Sequence, residues 1–242
     1  MKNRVILIVV GGMCSDALRL CGHPYVKVLL GTSAANVCSK SVSYGGTRYA
    51  HTALMYSTPK EYDWEVEKET RLFDVLYNAG KKCSAFFSGE EFVKIGEDEV
   101  VYRNFYSGEN CDVKAATQLI EHVKKESPDF TFLYLGQTDA AGHKFGFMSE
   151  EYLKVVYNAF AEIEKIRNAF PLHKLIVMSD HGGHDFVHEG KYDSDITIPI
   201  ILNRVCNFTE KLARAEIIDV APTVCKMLGV GAPSVWKGES LI

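Results

Sequence analysis

Residues Lys174 to His188 read KLIVMSDHGGHDFVH. The apolar run Leu175 to Met178 stops abruptly at Ser179-Asp180-His181-Gly182-Gly183. A short, uninterrupted apolar run ending in a glycine-rich polar turn reads as a parallel strand buried on both faces, its carboxyl end opening into a site. Within that turn Asp180, His181, His184 and His188 fall close together. Imidazole and carboxylate are the donors that a zinc-type ion prefers. The same side chains also gather on solvated loops, so the stretch gains meaning only from partners elsewhere in the chain.

Strand and helix signals alternate outward from it. Val5 to Val10 reads as a first strand closed by Gly11-Gly12, followed by a short helix over Asp16 to Leu20. After an irregular segment, Tyr44-Gly45-Gly46 turns the chain into a helix from Thr47 to about Tyr56. A second helix is capped by Thr70, with Gly80 just past its end. Cys83 to Phe87 reads as a strand, Val100 to Tyr102 as a short one, and Gly89 to Gly108 as the rim of any crevice. Asp112 caps a helix stopped by Ser127-Pro128. Phe130 to Leu135 is the next buried strand and leads into a loop, Gly136 to Gly146. Ser149 caps the longest helix, with Leu153, Val156, Phe160, Ile163 and Ile166 as its core stripe. A strand at Ile198 to Leu202 and a helix from about Asp219 to Leu228 close the series. This alternation predicts an α/β fold: a doubly wound, mostly parallel sheet with helices on both faces, as one domain over residues 1–242, without a large cap domain.

Composition narrows the function. The net charge of -4 carries no domain-scale basic excess, which argues against binding to a nucleic-acid backbone. The 7 cysteines are scattered without a C-x-x-C pair, the pattern of reduced thiols in a cytoplasmic protein. MKNRVILIVVGGMC resembles a signal peptide only superficially, because its apolar run is short and β-branched. No stretch is long enough to span a membrane.

Two further elements carry chemistry. The loop after Phe130 to Leu135 contains Asp139-Ala-Ala-Gly-His143, a carboxylate and an imidazole directly after a strand. In a doubly wound sheet the carboxyl ends of neighbouring strands face one crevice, so this loop and the Asp180 turn share it. The Thr47 hydroxyl stands at a helix N-terminus, where backbone N–H groups and the dipole favour an alkoxide or a bound phosphate. Its simpler reading is an ordinary N-cap.

Taken together, the strand ending near residue 11, the Thr after a Gly turn, D-x-x-x-H, S-D-H-G-G-H and a later His resemble the alkaline phosphatase superfamily, particularly its nucleotide pyrophosphatase/phosphodiesterase-like branch. The similarity extends to Ile218-Asp219-Val220-Ala221-Pro222-Thr223 and Trp236-Lys237-Gly238. It implies a Thr47 nucleophile and one or two zinc ions, or manganese. Asp139, His143 and His188 would hold the first ion, and Asp180, His181 and the Thr47 hydroxyl the second. His184 is then a residue behind the ligands or an alternative to His188, and His51 orients or packs. The family's first strand ends in Asp-Gly, whereas Gly11 stands here where a ligand is expected. Asp16 is the nearest acidic substitute. The resemblance thus implies a metal-dependent phosphohydrolase acting on a small phosphate ester or nucleotide, impaired at its second ion. The alternative is a degenerate one-metal protein that binds a phosphorylated ligand or a protein partner.

Overall fold

The computed structural model describes residues 3–42, 46–59, 70–90, 94–190 and 192–242. Its strands are β1 (Val5–Val10), β2 (Ser33–Lys40), β3 (Cys83–Ser88), β4 (Tyr102–Tyr106), β5 (Phe130–Leu135), β6 (Lys174–Met178) and β7 (Thr197–Asn203). They form a 7-stranded sheet in the order β2-β7-β6-β1-β5-β3-β4. The pairs β1·β5, β1·β6, β3·β5 and β3·β4 are parallel. β7 alone is reversed, antiparallel to both β6 and β2.

Why the inner strands read as continuous apolar runs is plain from their two faces. Val5, Leu7, Val9, Phe132, Tyr134 and Met178 pack under α3 (Thr47–Tyr56), α4 (Leu72–Asn78) and α9 (Val220–Leu228). The alternate residues Ile6, Ile8, Val10, Leu133, Leu135 and Val177 pack under α2 (Pro24–Gly31), α5 (Cys111–Glu126) and α7 (Glu150–Ala169). With period-2 side chains buried on both sides, the few polar residues that remain are themselves buried, as Ser84 and Thr131 are, their hydroxyls paired at 3.1 Å. The expected doubly wound sheet is therefore present, and no further domain interrupts it among the described residues.

Several local readings change. The irregular segment before Thr47 contains α2 and the edge strand β2. His23 is buried as the N-cap of α2, its ring accepting from Tyr25 N at 3.2 Å. Residues 102–106, read as part of a rim, pair as the edge strand β4. Arg71 rather than Thr70 occupies the N-cap of α4, and Asn110 that of α5. Ser149 caps α7 as expected, accepting from Tyr152 N at 3.2 Å. All seven cysteines are free, and no helix among the described residues is long and apolar enough to cross a membrane.

Asp112, read as a cap, sits instead in the first turn of α5 and turns inward. It is buried, accepts hydrogen bonds from the Ser88 hydroxyl and from Gln137 N (3.3 Å), and so ties the ends of β3 and β5 to α5. Burial pushes its carboxyl up to about 6, against the pull of those donors. A carboxylate raised on folding weakens the native state as pH climbs from the unfolded value near 3.8 to about 6, after which the penalty stays constant. Asp112→Asn keeps an acceptor without the charge. Urea denaturation is expected to show the variant more stable than the parent by up to about 3 kcal/mol at pH 7.5, with the gap closing below pH 4.

Candidate active site

In-register pairing delivers three strand ends to one place. Val10 lies beside Leu135 and Val9 beside Met178, so Gly11-Gly12, Gly136 and Ser179-Asp180-His181 emerge level with one another. Gly12 joins them. Its N–H donates to Asp180 Oδ1 at 3.0 Å and its carbonyl accepts from the Tyr152 hydroxyl at 2.7 Å. It adopts φ +66, and a Cβ there would lie 2.7 Å from Asp139 Oδ1, so only glycine fits on both counts. Tyr152, which sequence reasoning left without a role, also accepts from Cys14 N at 2.8 Å. Its only signal was a tyrosine on the core side of a capped helix, where the hydroxyl needs a partner.

The Asp139 segment is not a loop. It forms α6 (Gln137–Phe145), and the four-residue spacing places Asp139 and His143 on one helical face, with no tight fold of the small residues between them. His143 Nε2 lies 3.0 Å from His188 Nε2, and Asp139 Oδ1 lies 3.6 Å from each. The His143 Nδ1 bonds the Phe186 carbonyl at 2.8 Å; a carbonyl only accepts, so Nδ1 carries the proton and Nε2 presents a lone pair. Asp139 Oδ1 is buried and accepts no hydrogen bond among the described residues. Donors about 2.1 Å from one tetrahedral ion stand about 3.4 Å apart. The observed separations bracket that value, so these three residues fit one ion. His181 also approaches: Asp139, His181 and His188 offer atoms within 4.8 Å of one another.

Phe147 braces this cluster. Its N–H donates to the Asp185 carbonyl at 2.6 Å, and its ring stands edge-on to His143 (5.8 Å) and His188 (6.2 Å).

Thr47 does not cap its helix. Gly46 holds the N-cap position of α3, and Thr47 begins the helix, its Oγ1 2.9 Å from His181 Nε2. His181 Nδ1 donates to the Gly182 carbonyl at 2.9 Å, so in the neutral ring Nε2 is the nitrogen that accepts from the hydroxyl. Gly45 lies outside the described residues. One turn along α3, His51 places Nε2 3.2 Å from Asp180 Oδ2. Asp180 is fully buried, which by itself would raise its carboxyl; His181, His51 and the Gly12 N–H together hold it well below the usual carboxylate range.

The remaining expected residues separate. Asp16 is exposed at the start of α1 (Ala17–Leu20), lining a cavity of about 370 Å³ with Arg19, Cys38 and Asp193, and does not reach the Asp180 carboxylate's cluster of contacts. His184 turns to the buried Asp195, Nδ1 to Oδ1 2.7 Å, and packs edge-on against Tyr192. Gly11 offers no donor. The space its side chain would enter holds the ring of Tyr134.

Comparison with known proteins places this geometry. Residues 43–199 match the type I phosphodiesterase / nucleotide pyrophosphatase family. The ectonucleotide pyrophosphatase/phosphodiesterase family member 3 of Rattus norvegicus is 30% identical over 115 residues, covering 44% of this chain and 13% of that protein's length. The soluble domain of lipooligosaccharide phosphoethanolamine transferase A from Neisseria meningitidis has a TM-score of 0.76 at 14% identity, over 98% of this chain and 90% of its own. The phosphonate monoester hydrolase of Agrobacterium radiobacter gives 0.71 at 12% identity, over 99% and 76%. At such identities these structural matches speak for the fold alone.

The geometry distinguishes the two late histidines. By zinc titration calorimetry, His188→Ala is expected to weaken binding by more than about a hundredfold. His184→Ala should leave zinc affinity within about threefold and instead lower stability by about 1–2 kcal/mol, through the bond lost at Asp195. The reverse result would exchange their roles.

Proposed function

The chain belongs to the type I phosphodiesterase / nucleotide pyrophosphatase family of the alkaline phosphatase superfamily, and on that premise we propose that it is a metal-dependent phosphoric ester hydrolase with Thr47 as nucleophile. The substrate class is a small phosphate ester or nucleotide. The observation that carries the reading is the Thr47 hydroxyl, at the head of α3 and 2.9 Å from His181 Nε2, beside the Asp139, His143 and His188 cluster.

Asp139, His143 and His188 would hold the ion, zinc being favoured over manganese by two imidazoles and one carboxylate. When bound there it supplies Lewis acidity toward a phosphoryl oxygen. Thr47 supplies the attacking oxygen. The first-turn N–H groups of α3 face the same position and stabilise negative charge gathering on Thr47 or on the phosphoryl group. His181 Nε2 takes up the hydroxyl proton as the Thr47 oxygen bonds to phosphorus and the ester oxygen leaves, that oxygen being protonated from solvent. Water then attacks the phosphothreonine, the P–O bond to Thr47 breaks, and the proton on His181 returns to Thr47. His51 and the Gly12 N–H keep Asp180 ionised and oriented toward His181.

One observation favours a slow or binding-only version of this protein: the second ion lacks a ligand. Position 11 has no side chain, and of the Asp180 carboxylate Oδ1 is taken by the N–H groups of Gly12 and His181 (both 3.0 Å), which leaves Oδ2 alone. Loss of a ligand to an ion that activates a nucleophile lowers rates by about a thousandfold or more.

Hydrolysis of bis-p-nitrophenyl phosphate with zinc present tests the proposal. Activity should vanish with a chelator and fall at least about a thousandfold in Thr47→Ala. Undiminished turnover in Thr47→Ala would remove Thr47 as nucleophile, whereas zinc binding with no turnover in the parent would leave the binding-only version.

A further inference from the structure

Two glycines and a histidine seat the aromatic ring of Tyr134. A Cβ on Gly11 would lie 2.7 Å from its Cζ and 2.8 Å from its Cε2, with the phenolic oxygen closer still. On Gly136 a Cβ would lie 3.0 Å from Cε1. From above, the His51 ring stands edge-on with centroids 5.0 Å apart. The ring is 1% exposed and belongs to β5 in the middle of the sheet, so it cannot swing aside as a surface side chain would. Real Cβ atoms do not approach ring carbons this closely, because a packed interior has no slack to absorb the overlap.

We propose that Tyr134 closes the second cation position: its ring fills the volume that a side chain at position 11 would occupy, so the protein carries a one-ion centre on Asp139, His143 and His188. The exclusion is steric as well as chemical. A carboxylate restored at position 11 has nowhere to go while the ring remains. In place of a second cation, Asp180 Oδ2 is faced by His51 Nε2 at 3.2 Å and by His181 Nε2 at 3.6 Å. Those two imidazole nitrogens are the polar groups that face this buried oxygen. The inference rests on the metal-dependent reading above for its first ion, but concerns Gly11 and Tyr134 alone.

Zinc content after exhaustive dialysis, measured by mass spectrometry on folded monodisperse protein, tests it without reference to activity. The parent and Gly11→Asp are each expected to hold one ion. Gly11→Asp/Tyr134→Phe should also hold one, because the ring carbons still block the site, whereas Gly11→Asp/Tyr134→Ala should hold two. If the alanine variant does not fold, Tyr134→Leu in the same background replaces it. Two ions in the parent or in Gly11→Asp would overturn the proposal, as would a single ion in the folded double variant with a small residue at 134. A second ion in the phenylalanine pair would also overturn it, by removing the steric argument. Absence of zinc from every protein would instead sink the metal-dependent reading itself.

Discussion

The site depends on how closely Gly12 lets the ends of three strands approach. Its backbone turns at positive φ, its N–H reaches Asp180 beyond β6, its carbonyl reaches Tyr152 on α7, and its missing Cβ admits Asp139 on α6. Any side chain there would push α6 away from β1 and separate the two carboxylates from a common crevice. The parallel register of β1 with both neighbours is what brings these ends level in the first place. Brace and register together let flexible acid and imidazole side chains converge without being ordered one by one, an entropy that the fold has already supplied.

The two carboxylates live in different surroundings, which divides their roles. Asp180 is fully buried, its Oδ1 accepting from the Gly12 and His181 N–H groups and its Oδ2 approached by the His51 and His181 rings. Asp139 Oδ1 is buried with two imidazole nitrogens nearby and no hydrogen bond of its own. A buried anionic oxygen without a donor is stable only if a positive charge comes to it. His181 stands between the two, stacked on His188 at 3.9 Å and in contact with Thr47, and links the Thr47 hydroxyl to both sides.

Helix α3 contributes both Thr47 and His51 at one-turn spacing, so the hydroxyl and the group facing Asp180 move as one rigid unit. Its underside rests on Tyr134, which ties the position of Thr47 to the residue that occupies the space beside Gly11. The carboxylate absent from position 11 is thus part of a wider local arrangement of ring, glycine and histidine.

Much of this was legible in the residues themselves. The apolar runs of β1 and β6 are uninterrupted and that of β5 is broken only by the buried Thr131, because both faces are covered, and each ends in glycine or in Ser-Asp-His, so strands and candidate ligands were readable together. Helix α3 likewise announced itself through the turn before Thr47 and the breaker after Tyr56. Local pattern failed where a long-range contact decided the outcome. Asp139-Ala-Ala-Gly-His143 read as part of a loop from Gly136 to Gly146, yet it forms α6, with Gly142 packed against the Phe147 ring. Asp112 read as a cap, and the Ser88 hydroxyl across the sheet drew it inward instead. The sequence by itself determined the doubly wound fold, the identity of the acid and imidazole groups, and the lack of a carboxylate at position 11. Only the tertiary structure decided which of those groups meet, that His184 turns to Asp195, and that Tyr134 fills the space beside Gly11. Those are contacts between residues far apart in the chain, and no local spacing encodes them.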